Sequence, residues 1–267
     1  MGWRQLALAI LTEHDAVEKC RRALAFSFND HADNDKLSPP DRPGRPAKPL
    51  LILPRDAPKR GFGTVAGRVA LLHALAHIEL NAVDLAFDMA LRFAGEADAS
   101  GLDAHEFVGE WSSIGRDEAR HFLMLEARLH VFGSHYGAHP AHDGLWEAAE
   151  ATADSLLARL TVAPLVLEAR GLDVTPGLAE RLARAGDPGS AAILQTIYAE
   201  EIGHVAAGVR WFDRLCRARG LDPQETFSSM VAKRFRGRLK PPFNDAGRAA
   251  AGMPKAFYES WTDPCVA

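Results

Sequence analysis

The chain has 267 residues, of which 47% are hydrophobic and 25% charged, and its formal net charge is -4. This composition is typical of a soluble globular protein with one main core, and it gives no overall reason to bind nucleic acid or an anionic membrane. No apolar stretch approaches the roughly 20 residues that span a bilayer. The three cysteines, Cys20, Cys216 and Cys265, are scattered, which fits a reducing compartment rather than a disulfide framework or zinc site. We therefore expect a cytoplasmic protein.

The first 63 residues are expected to form an amphipathic helix and a Pro-rich connector that pack on the main body. Residues 1–26 have a short apolar centre, but Arg4 is their only early positive charge, so they indicate a helix rather than a signal peptide. Seven of the sixteen prolines lie between residues 29 and 63. Because proline is costly inside helices and central strands, this stretch should run extended over the surface, pinned by "LLIL" at 50–53.

From residue 64 onward, apolar residues recur at spacings of three and four, which predicts helices. Start and stop signals such as Asp187, Pro188 and Gly220 set their ends. The predicted long helices cover about 64–93, 102–132, 143–169 and 188–219, with a short helix before the last. Four such helices predict an all-α protein whose main domain, 64–220, is a four-helix bundle, followed by a C-terminal helix and tail over 221–267.

Each long helix places one glutamate on its apolar face, and two of the helices add a histidine three residues later. These side chains are Glu79, Glu118 with His121, Glu168, and Glu201 with His204. Four ionised carboxylates in a low-dielectric core would repel one another, whereas two divalent cations would balance their charge. One Glu from each of two helices plus a Glu-x-x-His from each of the others is the ligand set of carboxylate-bridged dimetal bundles. Oxygen-rich ligation with two imidazoles favours iron, with manganese as the alternative.

The ordinary alternatives to a metal site depend on single residues. A lone Glu-x-x-His is frequent by chance, and a glutamate on a predicted core face is often a long side chain whose carboxylate reaches water. The repeated order of Glu and then Glu-x-x-His, with one element on each helix, favours the dimetal interpretation.

Two stretches of the sequence resemble known families. "DEARH" at 117–121 resembles the Asp-Glu-x-Arg-His motif of bacterial di-iron monooxygenases, within the ferritin-like di-iron carboxylate superfamily. The second copy, "EEIGH" at 200–204, departs from the motif because Glu and Gly stand where Asp and Arg would. The Pro-rich segment 43–60, followed by 73–88, is similar to the uncharacterised domain-of-unknown-function family numbered 455, with a more distant likeness to a di-iron tRNA hydroxylase. The resemblance implies a ferritin-like fold and a metal site, not a substrate.

Residues next to the six candidate ligands are expected to support them. Asp117 and Glu200 each precede a candidate ligand, and each could accept the outer imidazole N–H of the opposite motif. Arg120 would then neutralise one of these carboxylates. Tyr198 lies one turn before Glu201 and is either a catalytic phenol or an ordinary packed tyrosine.

Other features of the chain have structural interpretations. His73 and His77 are expected at the edge of the core or beside the ligands, and the three histidines of 135–142 in a solvated loop. Pro164 should kink the third helix near the site. Gly203 and Gly208 should let another helix or a substrate approach the fourth helix closely.

Three classes of function remain open. The first is an oxygen-activating oxidoreductase, a hydroxylase or oxidase, with a small-molecule substrate, dioxygen and an electron donor. The second is an iron-handling or peroxide-detoxifying ferritin relative, and the third a metal-dependent structural or partner-binding module. An open cavity beside the metals would favour the first. The basic run at 233–240 leaves nucleic acid as an unsupported option, no membrane partner is expected, and the oligomeric state is open.

Overall fold

The computed structural model describes residues 2–28 and 37–259. Within these ranges the secondary structure is helical, and the only strand-like pairing is a parallel bridge between Leu51 and Ala141. The all-α prediction is therefore confirmed. The described helices are α1 Trp3–Leu11, α2 Ala16–Ala25, α3 Val65–Ala99, α4 Ala104–Val131, α5 Gly144–Glu150, α6 Leu156–Val162, α7 Ala169–Arg184, α8 Pro188–Ala218, α9 Pro223–Arg234 and α10 Asp245–Ala250.

Helices α3, α4 and α8 begin where their capping residues predict. The side chains of Thr64, Asp103 and Asp187 each accept a hydrogen bond from a backbone N–H of the first turn. The predicted end of α3 near residue 93 is wrong, since the helix continues through Gly95 to Ala99. The backbone turns left-handed only after this point, at Gly101, with φ of 75°.

The third predicted helix, over 143–169, is not continuous. It divides into α5 and α6, and a π-helical turn over Ala163–Glu168 then leads directly into α7. Pro164 lacks a backbone N–H and so disrupts the regular ladder at this point. Gly171 does not end the helix, because α7 continues to Arg184 and includes the segment predicted as a separate short helix.

Two packed pairs form the centre of the protein. Helix α3 packs along α4, helix α7 packs along α8, and α4 and α8 contact each other between the pairs. The π-helical turn also packs against α8. This arrangement brings the middles of α3, α4 and α8 and the start of α7 to one buried region.

The N-terminal segment contains two helices, α1 and α2, which pack on α3 and α4. Lys19 of α2 and Arg45 of the connector both pair with Asp84, a fully buried side chain of α3. The "LLIL" stretch pins the connector by its backbone, since the Ile52 N–H donates to the Ala141 carbonyl. Its leucine side chains do not take part, because Leu50 is 67% exposed. The described part of the connector thereby holds α3 in place mainly through ion pairs and backbone hydrogen bonds, although Pro43 and Pro49 are also buried.

Helix α3 is long and apolar enough to cross a membrane by length and composition alone. However, 83% of its most apolar window is buried inside the protein, which is the property of a central core helix. The described cysteines, Cys20 and Cys216, are buried and free, and Cys265 lies outside the described residues.

The C-terminal segment returns to the helical core. Helix α9 packs on α6 and α8, and α10 on α7 and α8. Within the basic run at 233–240, Arg234 pairs with Asp154 at 2.8 Å, whereas most of the other basic side chains face solvent. The run is thus a solvated face of the protein.

Candidate metal centre

The side chains singled out on α3, α4 and α8 meet in the core. Glu79, Glu118, His121 and Glu201 are all buried, and each offers one ligand-type atom within 4.8 Å of the others. Three helices supply these four residues, so rigid elements fix their spacing. A buried cluster of three carboxylates and one imidazole could hold a metal ion.

Both imidazoles turn the same ring nitrogen toward the carboxylates. His121 Nδ1 lies 3.2 Å from Glu79 Oε2 and 3.5 Å from Glu118 Oε2. His204 Nδ1 lies 2.9 Å from Glu118 Oε1 and 3.5 Å from Glu201 Oε1. The ring centroids are 5.9 Å apart. Glu118 therefore lies between the two histidines, one oxygen atom beside each.

Several atoms of the cluster are buried without a hydrogen-bond partner among the described residues. They are both carboxylate oxygens of Glu118, one oxygen each of Glu168 and Glu201, and Nδ1 of His204. The 2.9 Å approach of His204 Nδ1 to Glu118 lacks the alignment of a hydrogen bond. Leaving such a group unpaired costs about 1–3 kcal/mol, and more for a charged one, so natural cores avoid it. Carboxylate and imidazole atoms left unpaired together fit the donor set of a cation.

The side chains of the cluster balance their charges through protons. Burial raises the pKa of Glu79 to about 8, against the opposing hydrogen bond with His121. Burial also raises the pKa of Glu168 well above its usual range, helped by the negative charges of Glu201 and Glu118. For His121, burial disfavours the charged form, but the carboxylates outweigh this and raise its pKa to about 11. Bound protons thus compensate the buried negative charge, a role that metal cations can take over.

The outer nitrogen of each imidazole meets a carboxylate from the opposite motif. His121 Nε2 lies 2.6 Å from Glu200 Oε2, and His204 Nε2 lies 3.5 Å from Asp117 Oδ2. Arg120 donates to both of these outer carboxylates, at 2.8 Å to Glu200 and 2.6 Å to Asp117. These contacts fix the ring orientations, so that Nδ1 of each histidine remains directed at the inner carboxylates.

Glu168 stands apart from the other candidate ligands. It ends the π-helical turn, is only partly buried, and lies in the wall of a cavity with Glu79, Glu118 and Glu201. The cavity measures about 170 Å³ and is not sealed from the surface. The cluster is therefore reachable from outside through this cavity.

Close packing between α8 and the π-helical turn shapes this side of the site. A Cβ atom at Gly208 would lie 2.7 Å from Pro164 Cγ and closer still to Pro164 Cβ. The expected close approach therefore exists at Gly208. It is absent at Gly203, where a Cβ would meet no described atom within 4 Å.

Tyr198 does not face the carboxylates through its hydroxyl group. That group accepts a hydrogen bond from Asn244 Nδ2 at 3.1 Å, beside Gly247 of α10. The ordinary packed tyrosine is thus the alternative that the structure favours, and a catalytic role has no support in its position.

His73 and His77 of α3 hold a loop and do not contact the carboxylate cluster. His73 Nε2 accepts from the Gly137 N–H, and His77 contacts the Tyr136 hydroxyl at 2.8 Å and the His142 carbonyl at 3.1 Å. Burial lowers the pKa of His77 to about 3, so its ring is neutral. The expectation that the loop at 135–142 is simply solvated is corrected, since these contacts tie it to α3.

Sequence reasoning did not identify the cavity walls. They include Ile78 and Ala82 of α3 and Gly171 and Val174 of α7, none of which has a chemical signature. The one sequence feature that could have indicated the cavity was Pro164. A proline inside a helical pattern predicts irregular backbone, and this one lies four residues before the candidate ligand Glu168.

Comparisons with known proteins identify relatives of the chain. A family model described as "Protein of unknown function (DUF455)" matches residues 6–259. An uncharacterized protein of Haemophilus influenzae is 39% identical over 265 residues, which cover 94% of this chain and 90% of that protein. No solved structure matches. Neither description assigns an activity, so the function has to be argued from the site's own residues.

Proposed function

The chain belongs to the DUF455 family, and we propose that it is a ferritin-like dimetal carboxylate protein that activates dioxygen to oxidise a small organic substrate. The metal is iron, with manganese as the alternative, because the donors are carboxylates and two imidazoles. A reduced metal pair supplies, when bound, the electrons and the open coordination positions that oxygen activation requires.

One observation carries the proposal. The cluster combines buried, unpaired ligand atoms with an unsealed cavity whose wall includes four of its carboxylates. A purely structural metal site is closed around its ion, whereas a catalytic site keeps an accessible position. The cavity therefore favours turnover over a structural role.

The candidate ligands can be assigned to two metal positions. Glu79, His121 and Glu118 would hold one ion, and Glu118, Glu201 and His204 the other, with Glu168 completing the second position from the cavity side. Glu118 would contribute to both positions, because its two oxygens lie beside different histidines. The outer carboxylates of Asp117 and Glu200 hold the imidazole N–H groups.

In the hydroxylation form of the reaction, one oxygen atom of dioxygen enters a C–H bond of the substrate and the other leaves as water. This balance requires two electrons and two protons from a separate reductant. The protein's own contribution is to keep the ligand carboxylates and imidazoles fixed during the change of charge.

The test combines metal analysis with oxygen uptake. The purified protein should hold about two iron or manganese ions per chain. After anaerobic ferrous loading, it should consume dioxygen on exposure to air. Glu118→Gln keeps the size of the side chain but removes the shared charge, and it should lose most of the bound metal and the oxygen uptake.

Glu180→Gln is the matched control. Glu180 lies on α7 in an exposed pair with Arg184, 67% and 69% exposed respectively, and its variant should behave like the wild type. Full metal binding by Glu118→Gln would refute the metal centre. A protein that holds iron yet never consumes dioxygen would retain the metal centre and refute the oxidoreductase activity.

A further inference from the structure

The cavity beside the cluster has two unlike parts. Its inner end is formed by the carboxylates of Glu79, Glu118 and Glu201, and its side walls are mainly apolar. Ile78 of α3 and Val174 of α7 represent the two walls, and both are more exposed than the three carboxylates, which are 1–8% exposed. A molecule that enters along these walls meets hydrocarbon before it meets the carboxylates.

The size of the cavity limits what it can hold. Its volume is about 170 Å³. An apolar protein cavity of about 150 Å³ stays dry and binds benzene, so this one accepts a molecule of that size or slightly larger. Larger substrates would have to leave a part outside the opening.

Charge limits it further. An anionic group would have to leave water for a mainly apolar cavity, and a cationic group would compete with metal ions for the carboxylates at the inner end. Arg170 also lies in the wall, but its guanidinium donates to the Lys240 carbonyl at 2.8 Å and pairs with Asp173 at 3.4 Å. It holds the C-terminal segment, so the described residues of the wall include no cationic side chain that is free to anchor a ligand.

We infer that the substrate of this site is a small, neutral, apolar molecule of about the size of benzene, bound between α3 and α7 with its reactive carbon facing the carboxylate cluster. The inference rests on the proposed function, because it takes the cluster as the reacting end. Binding itself, however, depends only on the cavity.

Gly171 offers a direct test. It lines the cavity wall on α7, and a Cβ there would meet no described atom within 4 Å, so a larger side chain has room to extend. Gly171→Leu should fill part of the cavity. Gly177→Leu is the matched control, since Gly177 lies on the same helix with the same free space, is exposed, and is not among the wall residues.

The probe is fluorobenzene, observed by ¹⁹F NMR with zinc-loaded and with manganese-loaded protein. It should bind the wild type and Gly177→Leu alike. Its Kd should rise about tenfold or more in Gly171→Leu, which corresponds to a loss of roughly 1.4 kcal/mol. Paramagnetic manganese should broaden the bound signal strongly, whereas zinc should not, because the probe lies beside the metal position.

The outcomes separate the two proposals. Absent binding, or equal affinity in all three proteins, overturns the inference while metal analysis still supports or refutes the metal centre. Binding that depends on Gly171 in a protein that takes up no metal supports the cavity as a ligand site and overturns the proposed function. Metal uptake without fluorobenzene binding means that the cavity is only an entry path for the ion, which overturns the inference.

Discussion

The contact between Gly208 and Pro164 should control both the stability of the protein and the position of Glu168. Pro164 lies in the π-helical turn that Glu168 ends, and Gly208 is the point on α8 against which this proline packs. Gly208→Ala adds one methyl group at the tightest place beside the site. We expect it to push the turn away from α8.

The magnitude follows from the geometry. The new Cβ would lie 2.7 Å from Pro164 Cγ, whereas carbon atoms prefer about 3.5–4.0 Å. Overpacking of this kind costs about 1–3 kcal/mol, and both contacting atoms belong to a rigid ring that cannot rotate away. Replacing glycine by alanine in a helix returns about 1 kcal/mol. The net effect is a loss of about 0–2 kcal/mol in the free energy of unfolding.

Gly203→Ala provides the reference, because it lies on the same helix with no described atom within 4 Å of the new Cβ. It should gain about 1 kcal/mol. Urea unfolding with equal m-values would measure the difference between the two variants, expected at about 1–3 kcal/mol. Metal content should fall only in Gly208→Ala. Equal stability and equal metal content in both variants would refute the role of this contact.

Two further predictions concern the surroundings of the cluster. Arg120→Gln should weaken metal binding by about 10–100-fold in a chelator competition, because Asp117 and Glu200 lose their shared cation, while the exposed Arg184→Gln should not. Burial lowers the pKa of His77 from 6.5 to about 3, so the folded protein keeps its ring neutral. The contribution of His77 to the free energy of unfolding is therefore fully present above pH 6.5 and is lost as the pH falls from 6.5 toward 3. Denaturant titrations at several pH values should show that the free energy of unfolding falls less steeply with decreasing pH in His77→Gln than in the wild type. An equal pH dependence in the two proteins would contradict this.

Both ends of α8 could be predicted because each depends on one local interaction. Asp187 accepts the Ser190 N–H at 3.0 Å, and Gly220 takes the left-handed backbone conformation just after the end of α8. The convergence of Glu79, Glu118 and Glu201 could be predicted for a related reason. The apolar face of each of these helices packs in the core, and the glutamates on those faces are buried with it.

The path of the connector and the break in the third helix could not be predicted, because both depend on contacts between residues that are distant in sequence. The course of the connector is set by pairing of Arg45 with Asp84 and by the bridge between Leu51 and Ala141, and neither has a local signal. The break in the third helix had a signal in Pro164. Sequence alone could not show whether that proline would bend the helix, end it or widen one turn, because the answer depends on the space that Gly208 leaves on α8.

The irregular turn also explains why the four glutamates are not equivalent. A π-helical turn contains one residue more than an α-helical turn, which rotates the following residue by about 100° around the helix axis. Glu168 stands at the end of such a turn and is partly exposed in the cavity wall, whereas Glu79, Glu118 and Glu201 project from regular helices and are buried. Three carboxylates are thus fixed by straight helices. The fourth, Glu168, is placed by a turn in which Pro164 packs against Gly208, and it is the most exposed of the four glutamates in the cavity wall.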